Sequence, residues 1–533
     1  MKYYKDMREH VKALEANEKL VRIKREINKD TELMPLVRWQ FRGLPEEERK
    51  AFLFENVIDS KGKKYDIPVL VACYAASRQV YAIGMMCRPE EIMEKWVEAQ
   101  QHPIKPNIVS EGPVQEEVHL GNTLLEHGGL GEFPVPISTP GFDNGPYLSS
   151  PCWVSKDPET GIRNIGVYRA MIKGPLRTGI LCQPGQDLRT QWEKCRQRGI
   201  PLEAAIVLGG IPAVGYVGTV RYPYEVDEFD LASGIAGEPI ELVKCKTVDI
   251  EVPATGEIVI EGKIPTDSME REGPFGEFTG YMGEETIGPY FDVTCITHRR
   301  NPIYACFISQ FPPSESSKIR GIGEEALLYK FLRYDCGLPV LNVALHESCG
   351  SLLYCVVQMR KNHPAQVWQA LNGIITIVAW RKIVIAVDED IDPRDPDSVN
   401  WAMSYRVQPH RDIRIVQGMI AALDHSVAPP AEPDRDWKRY PNPTGNSAML
   451  VDATRKWDYP PVSLPKKEFM ERAREIWEAE GLPGLRPRQP WYGYSLGYWT
   501  KENEEESELA VRGEHYKTGG KLAEQRVSLG GLK

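Results

Sequence analysis

The sequence lacks several features that would each have assigned it to a class. No run of about 18 consecutive apolar residues occurs, so no membrane-crossing helix is expected. The opening segment MKYYKDMREHVKAL has no apolar stretch of the kind a secretory signal carries. The 11 cysteines form no CxxC pair, and the nearest two are Cys349 and Cys355, which excludes zinc-finger and thioredoxin patterns. Positive charge is in deficit: 65 Lys and Arg face 75 Asp and Glu, giving a formal net charge of −10 and a pI of about 5.7. A general nucleic-acid surface needs the opposite balance. Neither nucleic acid nor membrane is therefore an expected partner. P-loop, HExxH and GxSxG motifs and internal repeats are all missing. Many cysteines sit in apolar runs, such as Cys73 in VLVACYAA, Cys306 in PIYACFIS and Cys355 in LLYCVV. They read as buried free thiols of a reducing, cytoplasmic protein.

The chain does have length and turn residues. Its 533 residues allow two to four domains. A hydrophobic fraction of 42% and a charged fraction of 26% are those of a globular protein. The 42 prolines exceed the usual ~5% share, which implies many loops or X-Pro corners. The first 50 residues read as helical, from the spacing of apolar residues in MREHVKALEANEKLVRI. IPVLVACYAA (67–76) reads as a buried strand, and a helix is expected just after Pro89. An N-terminal α/β lobe over 1–115 is therefore expected.

Short β-rich runs between Gly and Pro turns predict a β-sheet or barrel domain over 116–318, interrupted by helices at 188–199 and 227–237. A linking helix is expected over 319–338, closed by Gly-Leu-Pro. Strand–helix–strand texture then predicts a second α/β domain over 339–465, with a Pro-rich loop from 426. A helix and an aromatic, polar arm follow over 466–533.

Gly321, Gly323 and Ala326 form a GxGxxA pattern, but FPPSESSKIR precedes it where a dinucleotide fingerprint needs a strand. The pattern reads as a helix start. Glu272-Gly-Pro-Phe-Gly-Glu277 is more informative. Its glycines and proline fix an unusual backbone path, and two carboxylates aimed into one pocket would raise one pKa and make an acid/base pair. In Asn164-Ile-Gly-Val-Tyr-Arg169, strand alternation sets Arg169 among apolar positions, where it needs a carboxylate partner. His298 and His346 read as structural.

Together, NIGVYR, VKCKTVDIEVPATGEIVIEG, EGPFGEFTGY and VDATRKW resemble the UbiD family of (de)carboxylases over roughly 120–460. The resemblance implies an α/β (α+β) fold: the N-terminal lobe, a split β-barrel that binds prenylated FMN (prFMN), the linking helix and a C-terminal oligomerisation domain. It implies an Arg169–Glu272–Glu277 catalytic network, in which Glu277 carries the proton at the carbon losing CO2 and Glu272 holds Arg169. It implies a cofactor site formed by Asn164, Ile165, Tyr168, Arg169, Gln183, Gln186 and Glu228.

The same resemblance implies a divalent metal on Asn164, Glu228 and a third group, Mn²⁺ by family habit with Fe²⁺ or Mg²⁺ as alternatives, and an accompanying K⁺. The family's histidine ligand is replaced here by Gln186, with Asp187 second, and its phosphate lysine by Ser447-Ala448, with Lys438 or Arg439 as substitutes. The implied partners are an aromatic or α,β-unsaturated acid, or an aromatic acyl-CoA such as phthaloyl-CoA, together with CO2, a UbiX-like flavin prenyltransferase, and further copies of the chain as a dimer or hexamer. For a CoA ester, Arg299, Arg300, Lys318 and Arg320 are candidate contacts. The alternative function is a non-catalytic flavin-binding subunit of a larger carboxylase.

Overall fold

The computed structural model describes residues 2–419, 423–427, 445–494 and 498–525. Lys438, Arg439 and part of the Pro-rich loop lie outside them.

The N-terminal sheet runs in the order Leu20–Asn28, Ala51–Ile58, Val69–Val71 and Tyr304–Cys306. Two differences from the sequence expectation stand out. LVRIKREIN is a strand and not part of a long helix, because the helix Met7–Ala16 stops at Asn17 and the segment pairs in parallel with Ala51–Ile58. The exposed charges of this edge strand hide its alternation. The last strand of the sheet comes from far down the chain: Tyr304–Cys306 lies parallel to Val69–Val71.

The central nine-stranded sheet is ordered Tyr147–Leu148, Ala170–Gly174, Arg177–Gly179, Tyr290–His298, Ile258–Ile264, Leu202–Leu208, Cys152–Lys156 and Arg163–Val167, with Glu117–Leu120 added on Tyr290–His298. Arg163–Val167 ends one side of this path, and Ala170–Gly174 lies one strand from the other end. Only Tyr168 and Arg169 separate them in the chain. A sheet whose two sides are joined by two residues must curl back on itself, so it forms a partial barrel with Tyr168 and Arg169 spanning the seam.

The helix Glu315–Lys330 links this barrel to the C-terminal sheet. It starts at Ser314, whose hydroxyl accepts from the Ser317 amide, so Gly321 and Gly323 lie in its interior and not at its start. Close packing explains both glycines: a Cβ on Gly323 would stand 2.1 Å from Val220 Cγ2, and one on Gly321 would stand 2.5 Å from Ser351 Cβ. The buried Glu315 carboxylate accepts from the amides of Ala72 (3.0 Å), Tyr74 (2.9 Å) and Ile308 (3.2 Å), which ties the helix to the N-terminal lobe.

The C-terminal sheet is ordered Val340–Leu345, Tyr354–Met359, Ile383–Asp388, Asn446–Asp452 and Ile413–Met419. One continuous apolar core runs from the N-terminal lobe through the barrel and the linking helix to one face of this sheet. A smaller cluster around Val356, Ile385 and Val451 covers the other face. The arm holds the helices Lys467–Ala479, Lys501–Val511 and His515–Glu524, none with a buried residue. All 11 cysteines are free thiols, seven of them buried. No helix among the described residues is long and apolar enough to cross a membrane.

Candidate active site

The barrel seam delivers Arg169 to the EGPFGE loop. Its Nε and Nη2 donate to Glu272 Oε1 (3.1 Å) and Oε2 (2.8 Å), a two-pronged pair, and its Nη1 donates to Glu277 Oε1. All three side chains are nearly removed from solvent. Glu272 sits on the strand Glu270–Glu272, which pairs with Thr286–Gly288. The chain then turns through Gly273 at φ +101°, a backbone region that favours glycine. Loop hydrogen bonds from the Gly283 amide to Phe275 O (2.8 Å), the Glu277 amide to Tyr281 O (2.8 Å) and the Gly280 amide to Glu277 O (3.0 Å) hold Glu277 against the guanidinium. The rings of Phe275 and Tyr147 stack against Arg169, with centroids 5.2 and 6.0 Å from its guanidinium carbon.

This packing sets the proton affinities. Burial pushes the Glu277 carboxyl up to about 7, and the Glu272 charge adds to the shift, while Arg169 and Arg320 oppose it. Burial alone would lower the Arg169 pKa, but the Glu272 hydrogen bonds and both glutamate charges raise it. The result is a permanent cation holding one carboxylate rigidly and a second carboxyl that can carry a proton near neutral pH.

The triad opens into a cavity of about 440 Å³. Asn164, Asp187 and Glu228 also line it. Glu228 is buried at the start of the helix Glu228–Ala236, and its Oε2 accepts from the Ile165 amide (2.9 Å). Burial raises its carboxyl to about 8, and the charge of Asp187 adds to this. Asn164 Nδ2 is buried with no hydrogen-bond partner among the described residues. Raised carboxyls beside an orphaned amide are what a cation site and its anionic ligand would relieve.

The remaining candidates divide. Ile165 and Tyr168 are buried on the cavity wall, and the Tyr168 ring lies so close over Gly166 that a Cβ there would stand 2.3 Å from it. Gln183 lines the cavity. Gln186 also lines the cavity, but it is exposed and its amide oxygen accepts from the Gln183 amide (2.6 Å), which engages it within its own loop. The half-buried Asp187, with a raised carboxyl, heads the helix Asp187–Gln197.

Of the four cations considered for a CoA ester, three are not among the cavity lining and are paired with carboxylates: Arg299 with Asp6 (2.8 Å), Arg300 with Glu117 (3.2 Å), and Lys318 with Glu46 (2.7 Å) and Glu347. Arg320 lines the cavity, with its guanidinium 4.8 Å from the Phe278 ring centroid. His346 accords with a structural role, with Nε2 2.9 Å from Pro393 O.

Sequence reasoning missed Arg221 and Asp143. Arg221 lines the cavity and donates to Gly185 O (3.0 Å). Asp143 accepts from the Thr139 amide (2.6 Å), and burial raises it to about 6. The Gly-Phe-Asp-Asn-Gly turn that holds Asp143 was the available signal.

A curled barrel carries at its seam a buried Arg–Glu–Glu network that sets a fixed cation beside a carboxyl able to hold a proton near neutral pH. The comparisons name the family. The 3-octaprenyl-4-hydroxybenzoate carboxy-lyase N-terminal, Rift-related and C-terminal domains match residues 11–100, 107–312 and 317–453. The chain therefore belongs to the UbiD family of carboxy-lyases.

An uncharacterised protein of Aquifex aeolicus is 31% identical over 510 residues, covering 90% of this chain and 99% of that one. Anhydromevalonate phosphate decarboxylase of Methanothermobacter thermautotrophicus is 30% identical over 391 residues, covering 73% of this chain and 87% of that one. Among solved structures, an evolved dimeric form of the UbiD-class enzyme HmfF from Pelotomaculum thermopropionicum, in complex with prFMN, superposes with a TM-score of 0.75 at 31% identity, covering 89% of this chain and all of that one. Vanillic acid decarboxylase of Sedimentibacter hydroxybenzoicus in closed form superposes with a TM-score of 0.76 at 25% identity, covering 90% of this chain and all of that one.

Proposed function

We propose that this chain is a prFMN-dependent enzyme that reversibly decarboxylates an aromatic or α,β-unsaturated carboxylic acid, with Glu277 as its proton carrier. The observation that carries this reading is the Glu277 carboxyl, raised to about 7 and hydrogen-bonded to an Arg169 that Glu272 fixes. When bound, prFMN supplies the electrophilic centre and electron sink for the carbon that loses CO2. The chain's own residues do the rest. Arg169 orients the acid, Glu277 delivers a proton to the carbon left by CO2 and takes it back in carboxylation, and Glu272 keeps Arg169 from turning away.

Asn164 and Glu228, with Asp187 in preference to Gln186, would hold the divalent metal. Their oxygen donors suit Mn²⁺ or Mg²⁺, with Fe²⁺ as a further alternative, and K⁺ would sit on nearby carbonyls. Arg221 on the cavity wall supports a cofactor phosphate at this end, in place of the missing lysine. Ile165, Tyr168 and Gln183 would line the flavin.

Phe278, Leu352 and Trp380, with Arg320 the one cation of the four considered for a CoA ester that lines the cavity, favour a compact aromatic acid over a CoA ester. A UbiX-like prenyltransferase would supply the cofactor. The exposed edge strand Ile413–Met419, with Ile415 in solvent, supports assembly with further copies, as a dimer or hexamer.

The test is anaerobic purification of the chain produced beside a flavin prenyltransferase, with absorbance and mass of the bound flavin. A panel of hydroxybenzoates, heteroaromatic acids, cinnamates, anhydromevalonate phosphate and aromatic acyl-CoA esters follows. Bound prFMN with turnover of an aromatic acid is the expected result. Bound flavin with no turnover of any acid would point to the non-catalytic subunit, and absence of flavin would refute the proposal.

A further inference from the structure

A second cluster of ligating side chains lies on the barrel away from the cavity lining. Strand Glu117–Leu120 runs antiparallel to Tyr290–His298, with His119 opposite Ile296 and Glu117 opposite His298. Residues two apart on a strand share a face, so His119 and His298 emerge on the same side. Beyond Leu120 the chain makes the short helix Asn122–Glu126, reverses through Gly128 and Gly129 at φ +87° and +57°, and returns in the turn Gly129–Glu132. The return is fixed by the Leu130 amide donating to Pro175 O (2.8 Å), and Gly129 has no room for a side chain, since a Cβ would stand 2.2 Å from Pro175 O.

This reversal lays the His127 ring on the His119 ring, with centroids 3.9 Å apart and planes 14° apart. It also brings Glu132 Oε2 to 3.1 Å from His119 Nδ1. One ligand atom from each of His119, His127 and Glu132 lies within 4.8 Å of the others. Bonds of ~2.0–2.2 Å around a tetrahedral ion set neighbouring donors about 3.3–3.6 Å apart, so the donors must draw together and the exposed His127 ring must turn out of its stack for its in-plane lone pair to meet the ion.

His119 Nδ1, Glu132 Oε2 and His298 Nε2 are all buried and are met only within the cluster, at 3.1 Å between His119 Nδ1 and Glu132 Oε2 and 3.4 Å between His298 Nε2 and Glu132 Oε1. His119 and His298 are 5% and 6% exposed. His298 Nδ1 lies 2.8 Å from the Arg299 carbonyl, which can only accept, so Nδ1 carries a proton. Its Nε2 lies 3.4 Å from Glu132 Oε1; burial would lower the His298 pKa, but Glu132 and the Arg299 carbonyl raise it, so the ring favours an ion pair with that carboxylate oxygen. His127 is exposed and leaves an entry path. Two imidazoles and a carboxylate are a donor set suited to Zn²⁺, and His298, on the other carboxylate oxygen, orients the ligand from behind.

We propose that His119, His127 and Glu132 bind one Zn²⁺, which pins the 121–132 segment to the barrel sheet. The experiment uses the full chain in a Glu228→Gln background, so that the active-site metal does not contribute, stripped with chelator and titrated with Zn²⁺. One equivalent should be retained after dialysis, and Zn²⁺ should raise Tm. Adding His119→Gln or Glu132→Gln should weaken uptake at least tenfold and remove the Tm shift. Adding His127→Gln, at an exposed position that folding does not depend on, should do the same. Uptake unchanged in the His127→Gln protein would overturn the proposal. So would a Glu228→Gln protein that binds no Zn²⁺, because the cluster would then be held by protons and hydrogen bonds alone.

Discussion

Glu277 ties stability and catalysis to the same pH window. Its carboxyl rises from 4.5 in an exposed setting to about 7 in the folded protein. Between those values the native state holds a proton that the unfolded chain has released. Stability is therefore full below 4.5 and falls as pH rises through 7, by about 1.4 kcal/mol per unit and about 3 kcal/mol over the window. Glu315 and Glu228 are also raised by burial, to about 7 and about 8, so the wild type carries their slopes as well. The informative quantity is the difference between wild type and Glu277→Gln, whose amide does not titrate.

Urea unfolding of both proteins at half-unit steps from pH 5 to 8 measures it. Over that range the wild type should lose about 2.5 kcal/mol relative to the variant. In the loaded enzyme, kcat for decarboxylation should fall above a midpoint near 7, approaching tenfold per unit, as the acid form disappears. A stability difference that stays constant across the window would refute the reasoning, as would a kcat that rises through pH 7.

Three further outcomes follow. Arg169→Ala leaves the buried Glu272 without its two-pronged partner and should destabilise the fold by about 3–5 kcal/mol, with loss of turnover or of cofactor maturation; urea melts and the flavin spectrum check this. Glu228→Gln should lower Mn²⁺ affinity at least tenfold by titration while leaving the Arg169 network intact, and an unchanged affinity would remove Glu228 from the ligand set. Gly323→Leu inserts a side chain where a Cβ alone would stand 2.1 Å from Val220 Cγ2; it should destabilise by at least ~1–3 kcal/mol, read as a lower Tm.

The meeting of Arg169, Glu272 and Glu277 was legible because its chemistry is local in the sequence. A carboxylate pair framing Gly-Pro-Phe-Gly, and an arginine on an otherwise apolar strand, each demand explanation, and the fold joins them with hydrogen bonds from Arg169 to both glutamates. The barrel strands and most helices were legible from their periodicity. The strand Leu20–Asn28 was not, because exposed charges mask its alternation and its partner, Ala51–Ile58, is distant in the chain.

The helix start at Ser314 was hidden behind glycines that are needed for close packing with Val220 and Ser351. Asp187 and Gln186 are adjacent in sequence, and only the observed turn shows which one is tied up by its own loop. The cluster of His119, His127, Glu132 and His298 depends on strand pairing that periodicity alone does not reveal.

The account's central claim is that Glu277 carries the proton at the carbon that holds the carboxylate. The direct measurement is deuterium exchange: the decarboxylated product of the best acid is incubated in D2O with the flavin-loaded enzyme and followed by NMR. The wild type should wash deuterium into that one carbon, and Glu277→Gln, with the same flavin spectrum, should do so at least 100-fold more slowly. Equal exchange by the two proteins would contradict the claim.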